Sequence, residues 1–265
     1  TAVCRAFDVT VACTGASLTA VHRALASGSL RLDPVPSSPL TPAQRISTVY
    51  VHPGHHVDYY PGATPVHFKL VFDSLTGKVF GAQAVGENGV VERINTIAMA
   101  LQKEATVDDL AESELCYSPQ VGSAKDIVNM AGFLASNVID GLCPLAPWAA
   151  LSGETPLPRD DYVLLDVRHA DEYAAEHVAH SVNISLEDIR NKSALARMRE
   201  LTADASKPVF VYCIVGQRAY YAVRALRTHG IDARLLSGGI TTAKLLDAAN
   251  ACRVESLPPL VVNSQ

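Results

Sequence analysis

The sequence predicts two domains: an α+β domain with an antiparallel sheet and helices, followed by an α/β domain with a parallel sheet. The chain has 265 residues, more than one core usually holds. Strand-like runs precede helix-like runs in the first half, whereas short apolar runs alternate with helical segments in the second. A stretch rich in glycine and proline, without apolar periodicity, separates the halves. We therefore expect domains at 1–140 and 159–257, joined by a linker at 141–158.

The first domain has the pattern of an antiparallel sheet covered by helices. Alternating β-branched residues predict strands at Arg5–Thr14, His67–Phe72 and Lys78–Val85. The turn residues Asp73–Gly77 lie between the last two strands and predict an antiparallel hairpin. Apolar residues at helical spacing, together with capping residues, predict three helices: Val90–Gln102, a short helix capped by Thr106, and Lys125–Asn137.

The second domain has the pattern of a parallel sheet. Its runs Tyr162–Leu165 and Pro208–Tyr212 are wholly apolar, as in strands that are buried on both faces. A helix-like segment follows each run, at Asp171–Ala175 and Ala219–Thr228, and Ala233–Leu236 supplies a third strand. This alternation predicts a three-layer α/β domain of common size.

Composition and charge exclude several classes of function. The formal net charge of -5 provides no basic surface for nucleic acid or an anionic membrane. No run reaches the roughly 18 apolar residues of a membrane span. The first residue, Thr1, is not an initiator methionine and opens no secretory signal, so we expect a cytoplasmic protein and a piece of a longer chain.

The six cysteines lie far apart and form no CxxC pair. This spacing predicts neither a metal site nor a disulfide framework. For five of them we expect the role of a small buried apolar residue: Cys4, Cys13, Cys116, Cys143 and Cys252.

The sixth cysteine, Cys213, directly follows an apolar strand and opens a short loop. Sites in parallel sheets lie at the carboxyl ends of strands, and the loop leads into a predicted helix. Backbone N–H groups, the helix N-terminus and the Arg218 guanidinium would stabilise a thiolate or a persulfide anion here. We expect the loop to bind the sulfur through five residues: Ile214, Val215, Gly216, Gln217 and Arg218.

The length of the loop separates two chemistries. Four residues lie between Cys213 and Arg218. Cysteine phosphatases place one residue more in this interval, which makes a ring large enough for phosphate, whereas the shorter loop suits a sulfur atom. The alternative interpretation is a buried cysteine beside an incidental arginine.

Six ordered motifs, from about Asp160 to Asp247, resemble the rhodanese family. They are Leu165–Arg168, Glu172–Tyr173, His177–Val178, Asn183–Ile184, Cys213–Arg218 and Leu236–Ile240. The resemblance implies that Cys213 accepts sulfur and that the loop amides and Arg218 hold it. It makes structural supports of four residues: Asp166, Arg168, Glu172 and His177. This sequence has Glu176 and His180 where the family usually has glycine, so the local backbone there is expected to differ.

The first domain carries two tyrosines in loops, Tyr59 before Pro61–Gly62 and Tyr117 after Cys116. They could be packing rings, or their phenols could act as hydrogen-bond donors or acids toward a thiolate leaving group. Their spacing alone leaves both interpretations open.

Ordered motifs from Thr1 to about Asn137 resemble the C-terminal dimerisation domain of coenzyme A-disulfide reductases. These are flavoproteins of the pyridine nucleotide-disulfide oxidoreductase class, and some carry a C-terminal rhodanese domain. The motifs are Thr1–Gly15, His56–Gly62, Gly81–Gly89, Arg93–Ile94, Tyr117–Pro119, Gly122–Asp126 and Asn129–Gly132. The resemblance implies a homodimer in which Tyr59 and Tyr117 face the coenzyme A thiol at the partner's flavin site.

The cofactors implied by this resemblance are FAD, NAD(P)H and coenzyme A. No G-x-G-x-x-G turn follows a strand in this sequence, so we expect no cofactor to be bound by the chain alone. N-terminal FAD- and NAD(P)-binding domains, which hold the family's redox cysteine, are expected in the complete enzyme.

Three functions remain open on the sequence. The leading one is the C-terminal part of a coenzyme A-disulfide or persulfide reductase, in which Cys213 takes sulfur from thiosulfate, polysulfide or a coenzyme A persulfide. The second is a free-standing dimeric sulfurtransferase, and the third is a non-catalytic rhodanese-like binding module.

Overall fold

The computed structural model describes residues 1–36, 38–152, 156–203, 206–251 and 259–263. The chain divides into two compact units, residues 1–140 and 141–265. Cys252 and the predicted end of the second domain at residue 257 lie outside the described residues. Of the other cysteines expected to be buried, Cys143 is buried, whereas the expectation is wrong for Cys4, Cys13 and Cys116, which are exposed. Within the described parts, no helix has both the length and the hydropathy of a membrane span.

The first unit contains an antiparallel five-stranded sheet with the strand order β1-β2-β5-β4-β3. Its strands are β1 (Ala2–Ala6), β2 (Val9–Gly15), β3 (Ile46–Val51), β4 (Val66–Asp73) and β5 (Val79–Gly86). Its helices are α1 (Leu18–Ala26), α2 (Pro42–Arg45), α3 (Val90–Gln102), α4 (Val107–Glu112) and α5 (Ile127–Ile139). The predicted α+β class is confirmed.

The predicted strand Arg5–Thr14 is wrong in one respect, because the chain reverses within it. Phe7 has a left-handed φ of 54°, and β1 pairs with β2 on either side of the turn. The turn residues Phe7 and Asp8 include neither glycine nor proline, so the sequence pattern gives no strong sign of a reversal here. The result is a hairpin at the edge of the sheet.

The hairpin predicted at Asp73–Gly77 is confirmed, and its side chains explain the turn. Asp73 accepts hydrogen bonds from the Leu75 N–H at 3.0 Å and from the Thr76 hydroxyl at 2.8 Å. Gly77 has a φ of 74°, a conformation that favours glycine. The turn therefore sets the register of β4 and β5.

Helices α3 and α5 pack against the sheet, whereas Val21 of α1 packs with Ile46 and Val71 in a separate apolar cluster. Val90, Ile94 and Ile97 of α3 are buried, and Thr106 caps α4 in a capping box with Asp109. Helix α5 starts two residues later than predicted, because Asp126 is its N-cap. The core of the unit includes the fully buried side chains Phe68, Leu70, Phe72, Ile94, Ile97 and Leu110.

The second unit contains a parallel five-stranded sheet with the order β6-β11-β10-β7-β9. Its strands are β6 (Leu145–Ala146), β7 (Val163–Asp166), β9 (Val182–Asn183), β10 (Val209–Tyr212) and β11 (Ala233–Leu236), and β8 (Glu176–Val178) pairs separately with β12 (Val261–Asn263). Its helices are α6 (Ala149–Ser152), α7 (Ala170–Ala175), α8 (Lys192–Leu201), α9 (Gln217–Arg227) and α10 (Gly239–Ala251). The predicted α/β class is confirmed.

Part of the predicted linker 141–158 belongs to this sheet. Leu145 pairs with Leu235 in the parallel register of β6 and β11. Trp148 is buried, and its indole N–H donates to the Ser237 carbonyl at 2.9 Å. A two-residue strand among prolines carries no periodic signal, so the sequence pattern resembled a linker.

Candidate functional site

Cys213 lies at the carboxyl end of β10, in the centre of the parallel sheet. The residue is 2% exposed, and the Gly216 N–H points to its Sγ at 3.2 Å. Gly216 has a φ of 106° and precedes the first residue of α9. The helix starts at Gln217 rather than near Ala219, so Gln217 and Arg218 form its first turn. The thiol therefore lies beside the N-terminus of a helix, where an anion is stabilised.

Helix α10 holds the other side of the loop. The Ile240 N–H donates to the Cys213 carbonyl at 2.9 Å, and the Thr241 N–H donates to the Ile214 carbonyl at 3.1 Å. Gly239 has a φ of 58°, and a Cβ there would lie 2.3 Å from the Cys213 carbonyl oxygen. Only glycine permits this approach. The pair of glycines after an apolar strand was the sequence signal for this contact, and our sequence analysis assigned it no role.

Arg218 forms a bidentate ion pair with Glu172. The distances are 2.6 Å from Nη1 to Oε2 and 2.8 Å from Nη2 to Oε1. Hydrogen bonding to Arg218, aided by the His169 N–H, lowers the pKa of Glu172 to about 2 despite its partial burial. The hydrogen bond that Arg218 donates to Glu172 raises the pKa of Arg218, and Cys213 contributes less. Glu172, predicted only as a support, thus orients the arginine of the sulfur loop.

Asp166 and Arg168 form a buried ion pair at the end of β7. Arg168 Nη2 lies 2.7 Å from Asp166 Oδ2 and also donates to the Glu176 carbonyl at 2.6 Å. The Asn183 amide donates to the main-chain carbonyls of both residues of the pair. These contacts join the end of β7 to Glu176 at the start of β8 and to Asn183 at the end of β9.

His177 packs on Tyr173, with ring centroids 4.2 Å apart. His177 Nδ1 also lies 3.0 Å from the Tyr173 carbonyl. Of the two positions that depart from the glycine pattern, His180 has a left-handed φ of 65°, whereas Glu176 is extended with a φ of -158°. Only one of the two therefore requires a conformation that glycine favours.

The two tyrosines of the first unit lie together although 58 residues separate them. Their hydroxyl oxygens are 3.0 Å apart, and the side chains are exposed, Tyr59 by 74% and Tyr117 by 48%. The hydrogen bond with Tyr117 raises the pKa of Tyr59. A phenol pair of this kind can donate a proton or a hydrogen bond to an anion beside it.

The described residues contain no cluster of three or more His, Cys, Asp or Glu side chains that could hold a metal ion. The sheet of the first unit is antiparallel between all its described strands, whereas dinucleotide folds require a parallel strand, a glycine-rich turn and a helix. The described residues of this unit therefore do not form the strand–turn–helix arrangement of a dinucleotide-binding fold.

Two family models match the chain, one in each unit. The pyridine nucleotide-disulphide oxidoreductase dimerisation domain matches residues 40–126, and the rhodanese-like domain matches residues 153–244. Residues 40–126 are therefore similar to a dimerisation domain of this class, and residues 153–244, which follow them, to a rhodanese domain. Cys213, Arg218 and Glu172 all lie in the rhodanese domain, whereas Tyr59 and Tyr117 lie in the dimerisation domain.

Curated relatives match about a third of this chain. The coenzyme A disulfide reductase of Staphylococcus aureus is 40% identical over 87 residues, which is 33% of this chain and 20% of the relative. That of Staphylococcus haemolyticus is 41% identical over 90 residues, 34% of this chain and 20% of the relative. The matched segment thus spans about a fifth of these proteins.

Two solved structures resemble both domains together. The reduced CoADR-RHD of Bacillus anthracis is 33% identical, with a TM-score of 0.72, over 90% of this chain and 38% of that one. The NAD-dependent persulfide reductase of A. fulgidus is 28% identical, with a TM-score of 0.69, over the same shares. The order of dimerisation domain and rhodanese domain is therefore shared with longer proteins.

Proposed function

We propose that this chain is the C-terminal, sulfur-carrying part of a flavin-dependent coenzyme A disulfide or persulfide reductase. The observation that carries the proposal is the environment of Cys213, whose Sγ accepts the Gly216 N–H at 3.2 Å beside the first turn of α9. The similarity to longer proteins named as coenzyme A disulfide reductase and persulfide reductase supports the reductase part.

In the proposed uptake step, the Cys213 thiolate attacks the outer sulfur of a persulfide donor, R–S–S–H. A new sulfur–sulfur bond forms on Cys213 while the bond between the two donor sulfurs breaks. The donor leaves as R–S⁻ and Cys213 becomes Cys213–S–S–H, so the sulfur moves without net oxidation. The Gly216 N–H and the N-terminus of α9 stabilise the Cys213 thiolate before transfer, and afterwards the persulfide anion that forms when Cys213–S–S–H loses its proton to water.

Delivery is the reverse exchange with an acceptor thiol, which we propose is coenzyme A or a cysteine of the flavin domain. In the later reduction of coenzyme A persulfide or disulfide by the complete enzyme, Tyr59 and Tyr117 would donate a hydrogen bond or a proton to the departing coenzyme A thiolate. FAD and NAD(P)H belong to the complete enzyme, in domains outside these residues. A homodimer is proposed on the same grounds, since one domain is a dimerisation domain.

Intact-protein mass spectrometry tests the role of Cys213. After incubation with thiosulfate or, separately, polysulfide, we expect the wild type to gain one sulfur that cyanide removes. Cys213→Ser should gain none, whereas Cys143→Ser, which changes a buried cysteine of the same unit, should still gain it. A folded wild type that takes sulfur from neither donor would favour the binding module instead.

The gene sequence distinguishes the reductase from a free-standing sulfurtransferase, because only the reductase requires a flavin domain encoded upstream in the same reading frame. With that full-length protein, we expect FAD-dependent reduction of coenzyme A persulfide by NADH or NADPH. Intact flavin without turnover on coenzyme A persulfide or disulfide would contradict the reductase, whatever the mass spectrum of Cys213 shows.

A further inference from the structure

Tyr59 and Tyr117 meet at the tips of two separate loops, and both are exposed. A hydrogen bond between exposed groups competes with water and is weak. The hydroxyl distance of 3.0 Å must therefore be set by what holds the two loops, and the contacts at their bases identify it.

The loop that carries Tyr59 is closed at its base by His55 and Thr64. The His55 N–H donates to the Thr64 carbonyl at 2.9 Å, and the Thr64 N–H donates to His55 Nδ1 at 3.0 Å. Asn88 adds a hydrogen bond from its amide to the Thr64 hydroxyl at 3.3 Å. The position of Tyr59 thus follows that of the His55 main chain.

The loop that carries Tyr117 is anchored at Asp126. The carboxylate of Asp126 caps α5 by accepting the Val128 N–H at 3.0 Å, and its own N–H donates to Asn129 Oδ1 at 3.0 Å. The Asn129 amide donates to the Ser113 carbonyl at 2.9 Å, which fixes the other end of the loop. The position of Tyr117 thus follows that of Asp126 and the start of α5.

Arg93 joins these two bases. Its Nη2 donates to the His55 carbonyl at 3.0 Å and to Asp126 Oδ2 at 2.7 Å, while Nε donates to the same carboxylate oxygen at 3.0 Å. Its Nη1 donates to the Gly89 carbonyl at 3.2 Å, so the guanidinium is also fixed to the start of α3. Gly89 must lack a Cβ, which would lie 2.6 Å from Nη1. Arg93 is 7% exposed.

We infer that Arg93 is a positioning residue that holds Tyr59 and Tyr117 at hydrogen-bonding distance. The inference rests on the proposed function, in which the two phenols assist a departing thiolate. Only the planar guanidinium donates in several directions at once and can bridge a carbonyl and a carboxylate rigidly. Without this bridge, each loop keeps its internal hydrogen bonds but loses its fixed distance from the other.

The titration of Tyr59 reports on the bridge, because the hydrogen bond with Tyr117 raises the pKa of Tyr59. We would label the chain with 3-fluorotyrosine, assign Tyr59 by its loss in Tyr59→Phe, and follow its ¹⁹F signal with pH. Tyr117→Phe calibrates the shift that loss of the hydrogen bond produces. We expect Arg93→Met to lower the pH at the midpoint of the Tyr59 titration, here called the Tyr59 midpoint, by as much as Tyr117→Phe does.

Arg45→Met is the matched control. Arg45 is a buried arginine of the same unit, paired with Asp73, and its described hydrogen bonds reach neither tyrosine loop. We expect it to destabilise the fold while leaving the midpoint of Tyr59 unchanged. An unchanged midpoint in folded Arg93→Met, or an equal shift in Arg45→Met, would overturn the inference.

Arg93→Lys covers the case in which the methionine variant does not fold. A lysine keeps the ion pair with Asp126 but presents a single nitrogen, so it cannot also make the fixed contact with His55. We expect a lowered Tyr59 midpoint here too, and a wild-type midpoint would contradict the inference. Sulfur uptake by Cys213 is measured separately. A wild-type protein that takes up no sulfur would contradict the proposed function but would not change the titration results for Tyr59.

Discussion

At the scale of single residues, the sulfur site depends on one carboxylate with two tasks. Glu172 accepts the His169 N–H at the start of α7 and both terminal nitrogens of Arg218. The cation of the sulfur loop is therefore oriented by a residue in the first turn of a different helix. The rhodanese resemblance predicted that Arg218 lies beside the sulfur. Its ion-pair partner could be identified only from the fold, because Glu172 and Arg218 are 46 positions apart in the sequence.

This ion pair predicts an acid-dependent stability of the rhodanese domain. The pKa of Glu172 falls from its ordinary 4.5 to about 2 on folding. Its stabilisation is therefore complete above about pH 4.5 and is lost as the pH falls toward 2. We expect Glu172→Gln to lower the free energy of unfolding by about 1 kcal/mol at pH 6, since solvent screens this half-buried pair.

Urea unfolding followed by the fluorescence of Trp148, the only tryptophan, measures this effect in the second unit. The difference between wild type and variant should shrink steadily as the pH is lowered from 4.5. A difference that stays constant down to pH 2.5 would show that the charge of Glu172 contributes nothing.

At the scale of elements, two helices hold the Cys213 loop from opposite sides. Helix α9 begins at Gln217 directly after Gly216, and α10 donates its first N–H groups to the loop carbonyls. The apolar run before Cys213 predicted the strand correctly, because a strand buried on both faces needs no alternation. Helices α8 and α10 were not predicted, since isolated helices of ten to thirteen residues gain most of their stability from the packing around them.

Gly239→Ala tests the closeness of α10 to the loop. An added Cβ would meet the Cys213 carbonyl oxygen at 2.3 Å, so the loop or the helix must shift. We expect a loss of about 2–4 kcal/mol in unfolding free energy, from the left-handed backbone and the overlap together, with reduced sulfur uptake.

Gly230→Ala is the control for this change. Gly230 also has a positive φ, of 78°, but a Cβ there meets nothing within 4 Å. Gly230→Ala should lower the free energy of unfolding by only about 1–2 kcal/mol, because of the left-handed backbone, and leave sulfur uptake at the wild-type rate. Equal uptake by the two variants would show that the approach of α10 does not shape the loop.

At the scale of the whole molecule, each unit contains its own core and its own candidate site. The two-domain order and both fold classes were predictable, because the apolar patterns of an antiparallel and a parallel sheet differ. The role of Arg93 was not predicted, since its partners lie 33 and 38 residues away along the chain. Its one signal was a charged residue on the buried stripe of α3, beside Val90, Ile94 and Ile97.

Residues 141–265 alone should therefore retain the sulfur chemistry. All the described hydrogen bonds of the Cys213 loop, including those from α9 and α10, lie within this unit. We expect the isolated segment to fold and to gain one cyanide-labile sulfur at the rate of the full chain. Mass spectrometry after timed exposure to polysulfide measures this, with Cys213→Ser in the same segment as control. A folded segment without uptake would contradict the expectation.

The exposure of Tyr59 and Tyr117 has a consequence for how the proposed reductase responds to dilution. A thiolate beside an exposed phenol can accept its hydrogen bonds from water instead, so the pair gains strength only where another surface excludes water. If a second copy supplies that surface, protomers separated by dilution lose activity while remaining folded. The activity per molecule would then rise with the enzyme concentration, because more of the enzyme is dimeric. The expression level would therefore regulate turnover as well as the amount of enzyme.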